Sequence, residues 1–471
     1  MSKPAVAIVH YHLRPGGVTR VIERAAEALG GRVDLVVLAG EPPAPESPIA
    51  RQCAVVPCLG YADAPPPDLD RAMEALDDAA RKVLGRPPDL WHVHNHALGK
   101  NAFQPLLAFR LAERGRPLLL QPHDFAEDGR PGNYALLRRR LGDALERILY
   151  PLAPHVRYAP INSRDRRLLA SAGIPDVRIL PNAVPPFPLP DRPISPEPTV
   201  VYPARAIRRK NLGEFLLQSL LDETGSRFVS TLAPQNPHWK KIYDEWTDFA
   251  AALRLPVEFD AGRKRDFPEL VLAASAIATT SIAEGFGLAF LEPWLADKPL
   301  VGRNLPEITA DFAQEGLDLS ALYDALPVPV EWIGEGNVLS ALETAMKSTF
   351  EAYAKPWTQQ RFARAKEALI TRGKIDFGRL DETMQRRVML RVAKDDSARA
   401  RLPTLRLPSP QAIPGNRHVV ETRYGLSAYG ERLFGLYEEL LAAPAGPVRH
   451  GDAGSLLESF LLPERFNLLR T

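Results

Sequence analysis

The sequence predicts an α/β fold of two similar units, each a parallel β-sheet with helices on both faces, followed by a mainly helical C-terminal segment. Short continuous apolar runs alternate with amphipathic stretches along the first half, as expected of strands buried on both faces. The alternation restarts after a proline-dense segment at residues 181–198, which suits neither a helix nor a central strand. A chain of 471 residues is also too long for one compact core, so two domains are expected.

The first unit is predicted from five apolar runs and one clear amphipathic pattern. The amphipathic pattern predicts a helix from Thr19 to Leu29. The predicted strands are Ala5-VAIVH, Val33-DLVVLA, Leu90-WHVH, Pro117-LLLQ and Val156-RYAPIN. Their spacing leaves room for crossover helices, so this half is interpreted as a doubly wound α/β unit.

The second unit repeats the pattern. Helices are expected from Asn211, from about His238, near Asp266 and from about Gly287. The predicted strands are Thr199-VVYPA, Arg227-FVSTL, Pro256-VEFD, Ser275-AIATTS and Pro299-LVG. Strands that alternate with helices again indicate a parallel sheet.

Beyond about residue 315 the sequence becomes mainly helical. Apolar residues recur three and four positions apart in Val338-LSALETAMKSTFEAYA and in Leu380-DETMQRRVMLRVA. A proline-rich stretch from Leu402 then leads to a last segment around Tyr429. We predict domains at residues 1–190 and 191–375, and a helical extension at 376–471 that packs back across them.

Composition and charge restrict the class of partner. The 59 Lys and Arg residues nearly balance the 57 Asp and Glu residues, which argues against a nucleic-acid-binding surface. The two cysteines, Cys53 and Cys58, have no second pair to complete a zinc site and suit a reducing compartment. The sequence shows neither a signal-peptide layout nor an apolar run long enough to span a membrane. A cytoplasmic location is therefore expected.

The stretch Thr280-SIAEGFGLAFLEPW carries the strongest chemical signal. A buried strand ends, a glycine-rich turn follows, and a helix expected near Gly287 would aim its N–H groups at phosphate or sugar oxygens. Glu284 precedes the turn, and Glu292 is expected in the second helical turn. Two such acceptor-only carboxylates suit a hydroxyl-rich ligand. The alternative is a structural turn whose carboxylates are solvated or cap the helix.

A second candidate is the basic loop in Val201-YPARAIRRKNLGEFL. Arg205 and Lys210 stand five positions apart after a buried strand, in a loop that ends at a helix N-terminus. Both cations suit a diphosphate. A solvated basic loop is the alternative.

Candidates in the first half follow predicted strands. Gly16 and Gly17 precede a helix and let the backbone approach a ligand, although the third glycine of a dinucleotide fingerprint is absent. His123 follows a predicted strand and precedes a loop suited to covering a cleft; its alternative is a local hydrogen bond to a carbonyl group. His92, His94 and His96 alternate as metal ligands sometimes do, but no carboxylate is fixed nearby, so no metal site is predicted.

Several of these segments resemble one enzyme family. Glu284-GFGLAFL-Glu292 resembles the Glu-x7-Glu signature of retaining GT-B glycosyltransferases, the sucrose synthase-like or group 1 family, also called family 4. The spacing of Arg205 and Lys210 is similar to that of the family's diphosphate-binding cations. The Gly-Gly loop, Trp91-HVHNH and His123-Asp124 are similar to its N-terminal loop and strand ends. Ile179-LPNAV resembles its Pro-Asn-Gly-Val turn, with Ala183 in place of the glycine.

The resemblance implies a GT-B fold, two Rossmann-like domains facing a central cleft, with the donor held by the second domain and the acceptor by the first. It also implies sugar transfer from a nucleoside diphosphate sugar to a hydroxyl acceptor, with retention of configuration and no cofactor or metal; a small polar molecule or saccharide is the preferred acceptor. The residues implied are, for catalysis, Glu284, Arg205, Lys210 and His123; for donor binding, Gly16, Gly17, Gly285, Phe286, Gly287, Leu288 and Glu292; and for the acceptor or cleft, His94, Asn95, Asp124 and Asn182.

Other functions remain open on the same sequence. A nucleotide-sugar-binding protein without catalysis would bind the donor but not turn it over. A phosphorylase would use inorganic phosphate and release no free nucleotide. An epimerase that cleaves the same bond is also compatible with the fold.

Overall fold

The computed structural model describes residues 3–190 and 192–469. Within these residues the chain forms two compact units. The first unit comprises the chain up to Ala183 together with Tyr424–Leu461, and the second comprises Val184–Arg423 and the residues from Leu462 onward. Residues 376–423 thus continue the second unit, while 424–461 return to the first.

The first unit consists of strands β1–β7 and helices α1–α6, and residues 424–461 complete it. Its strands are β1 Ala5–His10, β2 Asp34–Ala39, β3 Cys53–Val55, β4 Leu90–His94, β5 Leu118–Gln121, β6 Pro151–Leu152 and β7 Val156–Tyr158. Its helices are α1 Gly17–Leu29, α2 Leu69–Leu84, α3 Phe103–Glu113, α4 Pro131–Leu141, α5 Leu145–Leu149 and α6 Ser163–Ser171.

The main sheet of the first unit is parallel, with strand order β3-β2-β1-β4-β5-β7. Every residue of β1 and β4 is buried, as the continuous apolar runs predicted. The order reverses between β1 and β4, and ligands bind α/β sheets where the carboxyl ends of strands meet at such a switch point. His10 and His94 are the last residues of these two strands.

The second unit consists of β8–β15 and α7–α16. Its strands are β8 Thr199–Arg205, β9 Arg227–Leu232, β10 Val257–Glu258, β11 Ala276–Thr279, β12 Leu300–Gly302, β13 Pro327–Pro329, β14 Ile370–Thr371 and β15 Lys374–Asp376. Its helices are α7 Leu212–Leu221, α8 Pro237–Ala252, α9 Phe267–Ala273, α10 Glu292–Leu295, α11 Pro306–Gln314, α12 Glu335–Ala352, α13 Gln359–Leu369, α14 Glu382–Val392, α15 Asp396–Arg399 and α16 Ala412–Val419.

The sheet of the second unit is also parallel, with order β10-β9-β8-β11-β12. Its switch point lies between β8 and β11. The register of β8 shifts between Tyr202 and Arg205, where Pro203 interrupts the strand. Such bulges are common beside functional sites because they re-aim side chains. Both sheets are parallel, as the sequence predicted, and their strand orders are Rossmann-like.

The returning segment forms α17 Leu426–Ala442, β16 Arg449–His450 and α18 Ala453–Phe460. Leu433, Tyr437 and Leu440 of α17 are fully buried in the core of the first unit. At Gly430, α17 approaches α1 so closely that an added Cβ atom would lie 2.6 Å from the carbonyl oxygen of Ala28. The tail, to which the sequence assigned only packing, thus covers one face of α1.

A buried ion-pair network stabilises the second unit beneath α7. The Arg303 guanidinium donates to both carboxylate oxygens of Glu214, at 2.8 and 2.7 Å, and to Asp376 at 2.8 Å. Glu214 also accepts from the Asn211 side chain at 2.7 Å. Because Asn211 directly follows Lys210, this network anchors the basic turn to the interior.

Candidate functional site

The basic turn of the second unit is held at the carboxyl end of β8. A 3₁₀ turn at Arg208–Lys210 leads to Asn211, whose backbone is left-handed with φ of 53°. The carbonyl oxygen of Lys210 accepts from the Tyr202 hydroxyl at 2.6 Å and from Thr280 Oγ1 at 3.1 Å. Buried hydroxyls from Tyr202, within β8, and Thr280, directly after β11, thus fix the backbone that carries Lys210.

The loop after β11 is tied to the same turn. Its Ile282 N–H donates to the carbonyl oxygen of Arg209 at 2.9 Å. Arg209 in turn donates to the carbonyl oxygen of Ala283 at 3.2 Å. The structure therefore brings together the basic loop and the Glu284 segment, although Lys210 and Glu284 are 74 residues apart in the sequence.

Glu284 and Lys210 form an ion pair at this site. Lys210 Nζ donates to Glu284 Oε1, and Arg209 Nη1 lies 3.5 Å from Glu284 Oε2. Burial alone would raise the pKa of Glu284, but the charges of Lys210 and Arg209 outweigh it and lower the pKa. Glu284 is therefore ionised at neutral pH, and only 9% of its side chain is exposed.

The remaining arginines of the basic loop have different partners. Arg205, the last residue of β8, is half-buried and donates to the carbonyl oxygen of Ala233 at 3.2 Å. Arg208 forms a bidentate ion pair with Glu382, with N–O distances of 2.8 and 3.0 Å. Arg208 thus ties the loop to α14, whereas Arg205 donates to the backbone of the residue that follows β9.

The glycine-rich turn differs from the sequence prediction. The predicted helix from Gly287 is wrong: a 3₁₀ turn spans Leu288–Phe290, and the four-residue helix α10 begins at Glu292. Glu292 is consequently the first residue of a short helix and not part of a second turn. Gly287 is left-handed, with φ of 94°, so the turn begins only after it, and Pro293 suits only a helix start, so a new helix begins at Glu292.

Gly287 is required by this turn. An added Cβ atom would lie 3.0 Å from the Phe290 ring and 3.1 Å from Ile308 Cγ2. Phe286, also predicted as a donor contact, is buried with its ring centroid 5.6 Å from that of Phe312. Gly285 and Leu288 flank these two residues in the same loop.

Three histidines meet at the switch point of the first unit. His94 Nδ1 lies 2.9 Å from His123 Nε2, so the two rings share a hydrogen bond. The His10 ring centroid lies 6.2 Å from that of His94. Burial lowers the pKa of His10 to about 3 and that of His123 to about 4. These imidazoles are therefore neutral near pH 7.

Asn95 holds the segment that carries His123. Its backbone is left-handed, with φ of 55°, and its carbonyl oxygen accepts from Tyr11 Oη at 3.0 Å. Its side-chain Oδ1 accepts from the N–H groups of His123, at 2.7 Å, and Asp124, at 3.1 Å. The Asp124 carboxylate pairs with Arg130 at 2.5 Å. The structure thus brings together four predicted residues: His94, Asn95, His123 and Asp124.

The other two alternating histidines have structural partners. His92 lies between Gln121 Oε1, at 3.0 Å, and the Tyr437 hydroxyl of α17, at 2.9 Å. His96 Nε2 bonds the carbonyl oxygen of Leu149 at 3.1 Å. Among residues 3–190 and 192–469, no group of three or more His, Cys, Asp or Glu side chains is arranged to hold a metal ion.

The remaining predicted residues of the first unit lie in two places. Gly16 is the N-cap of α1 with an extended backbone, and an added Cβ atom at Gly17 would meet nothing within 4 Å. Asn182 is buried, and its Oδ1 has no hydrogen-bond partner in the described part of the chain. Ala183, at 1% exposure, accepts a hydrogen bond from Arg24 through its carbonyl oxygen.

Known proteins match both the sequence and the fold. The Glycosyltransferase Family 4 domain matches residues 15–186. Mannosylglucosyl-3-phosphoglycerate synthase of Petrotoga mobilis is 26% identical in a 337-residue alignment that covers 65% of this chain and 66% of that relative, just under two thirds of its length. HepE of Anabaena, solved with UDP-glucose, has a TM-score of 0.54 at 13% identity over 92% of this chain and 99% of HepE. HepE solved with UDP has a TM-score of 0.55.

The fold is GT-B. The strand order of each GT-B unit and the match to HepE over nearly the whole chain agree on this. The family domain and the named relative support a GT-B glycosyltransferase. No helix in the described ranges is both long and apolar enough to cross a membrane.

Sequence reasoning missed the residues that position these side chains. Tyr202 and Thr280 ended apolar runs and gave no sign that their hydroxyls bond the backbone of Lys210. Tyr437 lies 345 residues from its partner His92, so no local pattern links them. His94, by contrast, ends β4 and His123 follows the neighbouring strand β5, and that position was a usable signal.

Proposed function

We propose that this protein transfers a sugar from a nucleoside diphosphate sugar to a hydroxyl group of a small polar molecule or saccharide, with retention of configuration and without a metal ion. The observation that carries the proposal is the Lys210–Glu284 ion pair at the switch point of the second unit. Arg205 lies beside this switch point, at the end of β8. The donor class is supported by the UDP and UDP-glucose bound to HepE.

The residues of the second unit divide the work on the donor. Arg205 and Lys210 bind the diphosphate and neutralise the charge that grows on it as the bond from phosphate oxygen to the anomeric carbon breaks. Glu284, which is ionised, accepts hydrogen bonds from the sugar hydroxyls. Glu292 accepts from the ribose hydroxyls, and the Gly285–Leu288 backbone approaches the sugar.

Retention follows from attack on the face that the diphosphate leaves. The bonding electrons pass to the phosphate oxygen, the acceptor oxygen bonds the anomeric carbon, and the acceptor proton moves to the departing phosphate. This route needs no protein nucleophile. His123 is neutral at pH 7 because burial lowers its pKa to about 4, which suits a role in orienting the sugar rather than in donating a proton.

The acceptor class is informed by the curated relative. The name of the Petrotoga mobilis enzyme describes a product that contains phosphoglycerate, an anionic group. The acceptor proposed here belongs to the same broad class of small, hydroxyl-bearing molecules, and the first unit holds it.

Substitution of the three donor-site residues tests this function. Arg205→Ala, Lys210→Ala and Glu284→Ala should each lower kcat by about 100-fold or more, because each removes a charge that acts on the reacting donor. Lys241→Ala, an exposed lysine on α8, is the matched control and should leave turnover unchanged. Nucleoside diphosphate release is the measurement, after a thermal-shift screen of donors. Wild-type turnover in all three variants would refute the site.

Chelation tests the proposed independence from metal. Turnover in excess EDTA should equal that of the untreated protein, because Arg205 and Lys210 supply the positive charge at the diphosphate. Activity that disappears with chelator and returns with a divalent cation would contradict the mechanism.

A further inference from the structure

An exposed aromatic ring lies beside the histidine cluster of the first unit. Tyr61 is 49% exposed although it is a large aromatic residue. The His12 and Tyr61 rings make a T-shaped contact with centroids 4.9 Å apart, and His12 Nε2 lies 3.1 Å from the Tyr61 hydroxyl. Tyr11, whose hydroxyl bonds Asn95, makes a second edge contact at 5.4 Å. Tyr61 is therefore two contacts away from the residue that positions His123.

The loop that carries Tyr61 is held in place by the backbone around it. Asn101, fully buried, donates to the carbonyl oxygens of Cys58, at 2.9 Å, and Gly60, at 2.6 Å. An added Cβ atom on Gly40 would lie 2.2 Å from the backbone nitrogen of Gly60, so the loop crosses the end of β2 in close contact. A ring presented on such a rigid loop loses little conformational entropy when a ligand covers it.

The charge around the ring is positive. Lys100 Nζ lies 5.6 Å from the Tyr61 ring centroid, and Lys100 has no carboxylate within ion-pair distance among the described residues. The nearby acids are already neutralised, since Glu41 pairs with Arg14 and Asp124 with Arg130. A cation without a partner beside an exposed aromatic ring suits a ligand that has both an apolar ring face and an anionic group.

We propose that Tyr61 and Lys100 form the acceptor subsite and that the acceptor is an anionic saccharide, a sugar that bears a phosphate or carboxylate group. The sugar ring stacks on Tyr61, and its anionic group pairs with Lys100. This inference rests on the proposed transferase function and specifies its acceptor. Neither residue was implied by the family resemblance or by the histidine pattern.

Binding of simple probes to the full-length protein tests the subsite. Glucose 6-phosphate, glucose and inorganic phosphate are titrated separately by calorimetry. Glucose 6-phosphate should bind more tightly than either of the other probes, since it alone satisfies both the ring and the cation. In Lys100→Gln its affinity should fall about three- to tenfold, the range of a partly exposed charge pair, while the affinity for glucose stays the same.

Two further variants complete the test. Tyr61→Ala should weaken both glucose and glucose 6-phosphate, whereas Tyr61→Phe keeps the ring and should bind both as the wild type does. Lys82→Gln, an exposed lysine on α2, is the matched control for charge. Equal affinity of the wild type for glucose and glucose 6-phosphate, no detectable binding of either, or an unchanged Lys100→Gln variant would each overturn the subsite. Donor turnover by the wild type is measured separately, and its absence would refute the transferase function while leaving the binding result intact.

Discussion

At the scale of single residues, Asn95 fixes the local backbone through both its conformation and its side chain. It adopts a left-handed backbone, which Asn tolerates better than most residues. Its side-chain oxygen accepts hydrogen bonds from the backbone N–H groups of His123 and Asp124. A polar residue after a strand is a weak signal. The sequence therefore predicted that Asn95 lies near the acceptor or cleft but not that it positions other residues. The structure makes it a positioning residue for the His123 segment.

Substitution of Asn95 separates these two contributions. Asn95→Gly keeps the left-handed backbone but loses the side-chain acceptor; Asn95→Ala loses the acceptor and adds strain of about 1–2 kcal/mol. Both variants should lower turnover, and urea unfolding should show the alanine variant to be the less stable by about that amount. An alanine variant as stable as the glycine variant would contradict the assigned backbone strain.

Residues could be predicted from sequence where chemistry and strand position coincide. Lys210, Glu284 and His123 each follow a buried apolar run, and the structure places each of them at a carboxyl end of its sheet. Partners could not be predicted, because pairs such as Arg208 and Glu382 are 174 residues apart and no local period connects them. Burial, which keeps His10 neutral, and the neighbouring cations Lys210 and Arg209, which keep Glu284 ionised, are likewise properties of the folded chain.

At the scale of elements, the contact between α1 and α17 depends on one glycine. Gly430 is buried where the helices cross, and any side chain there would meet the Ala28 backbone. Gly435, five positions later on the same helix, has open space around its missing side chain. The two glycines therefore form a matched pair for measuring the cost of separating the helices.

Alanine at these two positions should have opposite effects. Gly435→Ala should stabilise the protein by about 0.5–1 kcal/mol, because alanine is the better helix former. Gly430→Ala should destabilise it by about 1–3 kcal/mol, because α17 must move away from α1. Chemical denaturation measures both. A stabilised Gly430→Ala variant would show that the helices do not approach as closely as described.

Elements were predictable where hydrophobic period alone decides them. The long buried runs gave β1, β4, β8 and β11, and three-and-four spacing gave α12 and α14. The turn at Gly287 was not predictable, because a left-handed glycine and a following Pro293 divide a helical pattern into a 3₁₀ turn and one short helix. Edge strand β3, with three residues, is too short for any periodic signal.

At the scale of the whole molecule, buried histidines make stability depend on pH. Burial lowers the pKa of His10 and His92 from 6.5 to about 3, and that of His96 and His123 to about 4. The unfolded chain therefore binds more protons than the folded one between these values. The stability that these groups contribute is complete above pH 6.5 and is lost as the pH falls toward 4.

Thermal unfolding between pH 7 and 4.5 measures this effect. We expect the melting temperature to fall as the pH is lowered. Glu127 opposes this trend, because burial raises its pKa to about 7 and the folded chain therefore binds one proton that the unfolded chain lacks. His96→Asn keeps a donor for the Leu149 carbonyl oxygen. It should reduce the slope of the free energy of unfolding against pH by about 1.4 kcal/mol per pH unit, the value of one proton. A melting temperature that is flat in this range, or an unchanged slope in the variant, would show that these imidazoles are not buried neutral.

The path of the backbone has a consequence for biosynthesis. The chain passes between the units three times, and α17 completes the core of the first unit only after residues 184–423 of the second have been made. Arg32 beside α1 and its partner Glu431 on α17 are 399 residues apart. At translation rates of about 5–20 residues per second, a nascent chain leaves the ribosome with the apolar face of α1 uncovered for about 20–80 s. We therefore expect the nascent chain to bind chaperones at the ribosomal exit tunnel during this interval.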